Sequence, residues 1–245
     1  MRILVFQHVN VEHPGVFREF WNDDGHLWSA VELDVREPIP SLDDFDLMVV
    51  MGGPMDVWQE DRHPWLIQEK AAIRTWVADL RRPYLGICLG HQLLAAALGG
   101  EVGLMAKPEV GLAKVELTPA GLRDPLLAGM GASLETLQWH GAEISRLPLG
   151  ATVLATNAAC AVQAIRCGRH AYGFQYHVEI EAQTVPDWVR IPEYRASLEA
   201  ALGIDQIAGF ESSVAARLPG FRRAARRINQ NLATIMRAAR SEAAP

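Results

Sequence analysis

The residues best suited to covalent chemistry are Gly86-Ile87-Cys88-Leu89-Gly90-His91-Gln92, a cysteine set between glycines. The short apolar run Pro83 to Cys88 leads into it, and the helix-forming run Gln92 to Leu98 leads out. A cysteine at such a strand-to-helix turn is expected to stand out of the sheet with its side chain exposed, while small neighbours allow a tight turn and a close substrate. The amides and positive dipole end of the following helix favour a thiolate and can donate to an oxyanion. The plainer reading makes Cys88 a small buried apolar residue, as most free cysteines are. A second set, Phe174-Gln175-Tyr176-His177-Val178-Glu179, carries an imidazole and a carboxylate two residues apart. On an extended strand the two project to one side, so Glu179 can fix the tautomer of His177 acting as a general base. His-x-Glu also arises by chance, and the chain has 8 histidines. A third set, Gly52-Gly53-Pro54, closes an apolar run and exposes amides at the carboxyl edge of a sheet. Gly53 can then supply one oxyanion donor and the amide of Leu89 the other. Those residues equally suit an ordinary tight turn, and GGPMDVW lacks the glycine spacing of a nucleotide fingerprint or P-loop.

The elements around these sets alternate. Residues 2–8 and 45–51 are short apolar, β-branched runs expected of buried parallel strands, and 30–35 alternates like a strand nearer the sheet edge. A helix is expected around Val16 to Trp21 and another from Trp65 to Leu80, where Ile67, Ala71, Ile73, Trp76, Val77 and Leu80 recur at helical spacing. With the strand at 83–88 and the helix closed by Gly99-Gly100, the order predicts an α/β fold, a doubly wound and mostly parallel sheet. From Val102 to Thr156 several short strand-like runs separated by Gly and Pro suggest added antiparallel strands, and AVQAIRCG with AYGFQYHVE suggests a returning hairpin. Beyond Glu181 the chain reads as helical, with a polar break near Gly203-Ile204-Asp205. The expected organisation is a domain over residues 1–185 and a helical C-terminal extension, 186–245, packed on it. That extension carries Arg217, Arg222, Arg223, Arg226, Arg227, Arg237 and Arg240 among apolar residues. It reads as an amphipathic helix with a solvated cationic face more than as a nucleic-acid patch.

Composition narrows the function classes. The 245 residues carry a formal net charge of −6, which argues against a protein built to hold nucleic acid or an anionic membrane surface. Three cysteines make no disulfide framework and suggest a reducing compartment. The N-terminal apolar run is too short for a secretory signal and no later run spans a membrane, so a cytoplasmic location is expected. Cys88 and His91 have C-x-x-H spacing but no second ligand pair follows, so no metal is expected. Cys160 and Cys167 read as structural.

Taken together, GGPMDVW, GICLGHQLLA, the QWHG stretch at 138–141 and FQYHVE resemble the signature segments of the class I glutamine amidotransferases, over residues 1–181. The resemblance implies a flavodoxin-like sheet and a Cys88-His177-Glu179 triad acting on the γ-amide of glutamine through a thioester, without a cofactor. It also implies an oxyanion hole from the amides of Gly53 and Leu89, and a substrate pocket formed by Gly52, Gln92, His140 and Gly141. The chain is most similar to free-standing proteins like the glutaminase part of GMP synthase. Two functions follow: ammonia release for a partner synthetase, or independent hydrolysis of γ-glutamyl amides or peptides. A non-catalytic binding protein on the same fold is the third. The sequence departs from the family at Val178, where many relatives have proline, and at Tyr176, where phenylalanine is common.

Overall fold

The computed structural model describes residues 1–243, with side chains through residue 238. Nine strands form one sheet in the order β2-β1-β3-β4-β9-β8-β7-β5-β6. The strands β2 (Leu27–Glu32), β1 (Arg2–Gln7), β3 (Leu47–Val50), β4 (Tyr84–Ile87) and β9 (Ala171–Phe174) run parallel, in the order 2-1-3-4 and then the last strand. This is the doubly wound arrangement with the flavodoxin strand order. Its central strands are buried at every residue of β3, β4 and β9, because helices cover both faces and leave no place for a polar side chain. β2 lies at the edge and alternates, as expected there, though it starts three residues earlier than the 30–35 run suggests.

On one face α1 (Phe17–Asp23) and α7 (Leu218–Ala243) bury Phe17, Trp21, Phe221 and Ile228. On the other, α2 (Trp65–Arg74) and α3 (Leu89–Ala97) bury Leu66, Ile73, Leu93 and Leu94. The helical period expected to Leu80 continues past α2 as a wider π turn, Thr75–Asp79. The arginines of α7 and the turn before it meet acids and an aromatic ring: Arg222 bonds Glu19, Arg226 stands 4.0 Å from the Phe20 ring centroid, and Arg217, just before the helix, pairs with Glu135. The amphipathic reading of that helix therefore holds as far as its side chains are described; the side chain of Arg240 lies outside the described residues.

The middle of the chain departs from expectation. Instead of several short strands, β5 (Glu101–Leu117) and β6 (Ser133–Arg146) are long partners, with Leu112 opposite Leu137 and a register shift between Leu104 and Glu109. Pro108 falls within that irregularity, and Gly103 and Gly111 pair with Glu143 and Gln138 of β6, so none of them ends the strand. β7 (Ala151–Thr156) and β8 (Ala164–Cys167) join this pair to β9 in antiparallel fashion. After β9 come α4 (Thr184–Trp188), α5 (Pro192–Leu202) and α6 (Ile207–Ala215); Gly203, with φ 85°, makes the break after α5.

Candidate active site

The three motif segments are far apart in sequence, yet each directly follows a parallel strand: Gly52-Gly53 follows β3, Cys88 follows β4 and Gln175 to Glu179 follow β9. Those three strands are neighbours, so the segments meet at the carboxyl edge of the sheet, where sites in this architecture gather.

Cys88 precedes α3 with φ 53° and ψ −106°, a left-handed conformation costing a non-glycine residue on the order of 1–3 kcal/mol. The turn is held by the Cys88 amide donating to the Phe174 carbonyl at 2.7 Å and by the Gly90 amide donating to Met51 at 3.1 Å. Its two flanking glycines have a steric cause. A Cβ on Gly86 would lie 2.4 Å from the Gly90 carbonyl oxygen, and one on Gly90 would lie 2.1 Å from that of Val50.

The side chain of Cys88 is 7 % exposed, not open as the turn alone suggests. The Trp139 carbonyl lies 3.9 Å from its sulfur and the Gln175 amide nitrogen donates to it at 3.7 Å. Cys88 nevertheless faces a cavity of about 240 Å³. Gly53, Leu89, Gln92, His140 and Gly141 all line this cavity, so the structure brings these five expected residues together. Among the described residues neither the Gly53 amide nor the Leu89 amide donates to another protein group, which leaves both free to bond an oxygen in the cavity. Gly52 is the exception: it does not line the cavity, and its carbonyl accepts from buried His8 at 2.7 Å.

His177 and Glu179 lie beyond the end of β9 rather than on a regular strand. Their alignment comes instead from a single bridge to β6, in which His177 and Leu137 exchange hydrogen bonds of 2.8 and 3.1 Å. His177 Nδ1 is 2.7 Å from Glu179 Oε1, and its ring interacts electrostatically with Cys88. The other carboxylate oxygen, Glu179 Oε2, accepts from the Val178 amide at 2.9 Å, a donor proline would lack. Burial alone pulls the His177 pKa down, but the Glu179 charge, its hydrogen bond and the interaction with Cys88 raise it well above 6.5. An imidazolium beside the sulfur is the counter-charge a thiolate nucleophile needs.

The pocket residues are themselves anchored. Gln92 donates to the Ala142 carbonyl at 3.1 Å and to Gln175 Oε1 at 3.0 Å, tying the helix after Cys88 to the segment carrying His177. His140 is engaged at both ring nitrogens, by the Ala142 carbonyl at 2.9 Å and Glu109 at 3.2 Å. Glu109 also accepts from Asn157 at 2.6 Å and Gln163 at 2.8 Å.

Several contributors carry no signal that sequence reasoning could use. Tyr194 on α5 lines the cavity and donates its hydroxyl hydrogen to buried Glu12. Trp188 sets its ring edge-on to His177, with centroids 4.8 Å apart, and Ser197 accepts from Trp139 Nε1 at 2.8 Å. Helix α5 thus forms part of the cavity wall. Gln175 was within reach, since it lies inside the FQYHVE segment. Cys160 and Cys167 are buried, which pushes both thiols up to about 12 and leaves them inert. His91, turned to the Val162 carbonyl, is driven down to about 3 by burial. Among the described residues no cluster of three or more His, Cys, Asp or Glu could hold a metal, and no helix is long and apolar enough to cross a membrane.

This arrangement has known counterparts. The family model for glutamine amidotransferase class-I matches residues 28–186. The glutamine amidotransferase-like protein YfeJ of Salmonella typhimurium is 34% identical over 189 residues, covering 76% of this chain and 78% of its own. A glutamine-hydrolysing GMP synthase subunit from Sulfurisphaera tokodaii is 34% identical over 154 residues, 62% of this chain and 77% of its own. Among solved structures, a glutamine amidotransferase from Thermotoga maritima superposes with a TM-score of 0.84 at 26% identity, covering 95% of this chain and 97% of that one. With its sheet, its strand-edge cysteine and these relatives in agreement, the chain belongs to the class-I glutamine amidotransferase family.

Proposed function

We propose that the protein hydrolyses the γ-amide of glutamine through a thioester on Cys88, with His177 and Glu179 as its partners. The observation that carries this reading is the buried His177-Glu179 hydrogen bond, coupled electrostatically to a Cys88 that faces a cavity with two unengaged amides. In the first half-reaction the Cys88 thiolate attacks the amide carbonyl carbon, and the resulting oxyanion takes the Gly53 and Leu89 amide hydrogens. His177, held as imidazolium, gives its proton to the amide nitrogen, and the C–N bond breaks to release ammonia. In the second half, His177 takes a proton from water, the water oxygen attacks the thioester, and glutamate leaves as the sulfur recovers its electron pair. Each amide donor of an oxyanion hole is worth on the order of 3–4 kcal/mol in the barrier, so the turn at Gly53 is a large part of the rate. Gln92, His140 and Gly141 would hold the glutamyl portion, while Gly52, outside the cavity lining, would support the Gly53 turn through its bond to His8.

Because relatives include subunits of a glutamine-hydrolysing synthase, we read the ammonia as destined for a partner synthetase. One observation favours a second reading, an independent γ-glutamyl hydrolase. The cavity wall includes Glu193, Tyr194 and Ser197 of α5, outside the segment matched by the family model. What the cavity admits is therefore set partly by residues that the match does not cover. Incubating pure protein with glutamine and with γ-glutamyl dipeptides, and measuring glutamate and ammonia, tests both. Turnover of glutamine with ammonia released supports the first; turnover of dipeptides alone supports the second; turnover of neither removes the hydrolytic reading.

A further inference from the structure

One buried ion pair near the site takes no part in the chemistry above. His8, just past β1, and Glu69, on α2, are both fully buried, with His8 Nε2 2.9 Å from Glu69 Oε1. His8 Nδ1 is 2.7 Å from the Gly52 carbonyl oxygen. Both partners only accept, so the ring must donate from both nitrogens as an imidazolium. Its pKa is raised from 6.5, the lowering by burial being outweighed by the charge and hydrogen bonds of Glu69 and Gly52. Trp65 stacks on the ring at 5.4 Å and 18°, fixing its plane. Such a pair is no bargain for folding: two well-packed apolar side chains commonly serve at least as well, and Glu69 Oε2 has no hydrogen-bond partner among the described residues.

The peptide it touches explains its presence. The Gly52 carbonyl and the Gly53 amide belong to one trans peptide unit, so they lie in one plane and point in opposite directions. Glycines on both sides leave little steric resistance to rotating that unit. Side chains cannot stiffen it, since a Cβ on Gly52 would lie 2.6 Å from Glu12 Oε2 and one on Gly53 2.6 Å from Met55 Sδ. We propose that His8, itself held by Glu69, is the positioning residue of the oxyanion hole: by bonding the Gly52 carbonyl it aims the Gly53 amide at the reacting oxygen. A cation on the carbonyl end also polarises the peptide and makes its N–H a stronger donor. This inference rests on the reading of Gly53 as an oxyanion donor.

The test compares His8→Asn with His8→Gln in the full chain. The Asn amide nitrogen falls near the place of Nδ1 and retains a donor for Gly52; that of Gln falls near Nε2 and retains only the Glu69 side. Expected for His8→Gln is a fall in kcat on glutamine of about 30-fold or more with KM within about twofold, because the bond forms only in the transition state. His8→Asn should keep kcat within about tenfold of wild type, although both variants lose the cation. Alkylation of Cys88 by iodoacetamide, which uses no oxyanion donor, should run at the wild-type rate in both. The Gly53 amide proton resonance should move upfield in His8→Gln more than in His8→Asn. Equal loss of kcat in the two variants, or loss that appears in KM or in alkylation, overturns the proposal. If wild type hydrolyses no γ-glutamyl compound, the hydrolytic reading fails by itself, and a Gly53 resonance unmoved in His8→Gln then overturns the positioning role separately.

Discussion

The amide of Val178 donates to the carboxylate of Glu179 at 2.9 Å, one residue away, while the other oxygen of that carboxylate holds His177 at 2.7 Å. The residue that breaks the family pattern thus supplies a hydrogen bond that proline cannot. Val178→Pro should therefore leave Glu179 Oε2 without this donor in a buried site. A loss of about 1–3 kcal/mol in stability is expected, with kcat reduced by less than about tenfold. Urea unfolding and steady-state turnover check it; unchanged stability would mean the bond contributes nothing.

Cys88→Ala should lower turnover by at least about 10³-fold while the far-ultraviolet spectrum and unfolding midpoint stay near wild type. The substituted atom faces the cavity, and the turn is held by backbone bonds to Phe174 and Met51 that alanine keeps. Glu179→Gln should slow the reaction less than His177→Ala, because the carboxylate orients the ring whereas the ring moves the proton. The reverse order would exchange those roles.

The pH dependence has a definite sign. His177, faced by Glu179, Cys88 and Glu12, binds its proton more tightly in the folded chain than its ordinary 6.5 allows. Its stabilisation is therefore fully present below about pH 6.5 and is lost as pH rises through the higher folded value. His8 is shifted in the same direction. Unfolding midpoints should fall toward alkaline pH, and His177→Asn should flatten that fall. A midpoint that rises between about pH 7 and about pH 9.5 would contradict the raised values.

Tyr194→Phe removes a hydroxyl donor from Glu12, whose carboxyl is already raised by burial. Burial favours the neutral carboxyl in the folded chain, so the loss should be smaller at acidic pH. Above its raised value the folded chain must hold a buried carboxylate with one donor fewer, and the loss should grow to about 1–3 kcal/mol. Denaturant unfolding of both proteins at about pH 5 and about pH 8 measures the difference, and a pH-independent loss would show that Glu12 is not involved.

Tyr176→Phe should be neutral or stabilising by about 1 kcal/mol. The hydroxyl is buried with no partner among the described residues, and the ring keeps its stack on Phe174 at 5.2 Å. A clear loss of stability would mean that the hydroxyl is satisfied in solution.

What the sequence determined by itself was local: the apolar runs of β1, β3 and β4, the tight turn around Cys88 and the residues proposed to react. These follow from backbone sterics and side-chain chemistry that act over a few residues. Residues 102–146 were misread as short strands, whereas the short strand at 151–156 was read correctly; Gly and Pro signal a break only when no partner strand carries the chain across it, and β6 does so for β5. The alignment of His177 with Glu179 was legible as two residues on one side, but its cause is a bridge to Leu137, forty residues earlier. His8, Glu12, Glu69 and Tyr194 were invisible for the same reason. Each is ordinary beside its chain neighbours and becomes specific only when folding removes water and leaves one polar group to satisfy another.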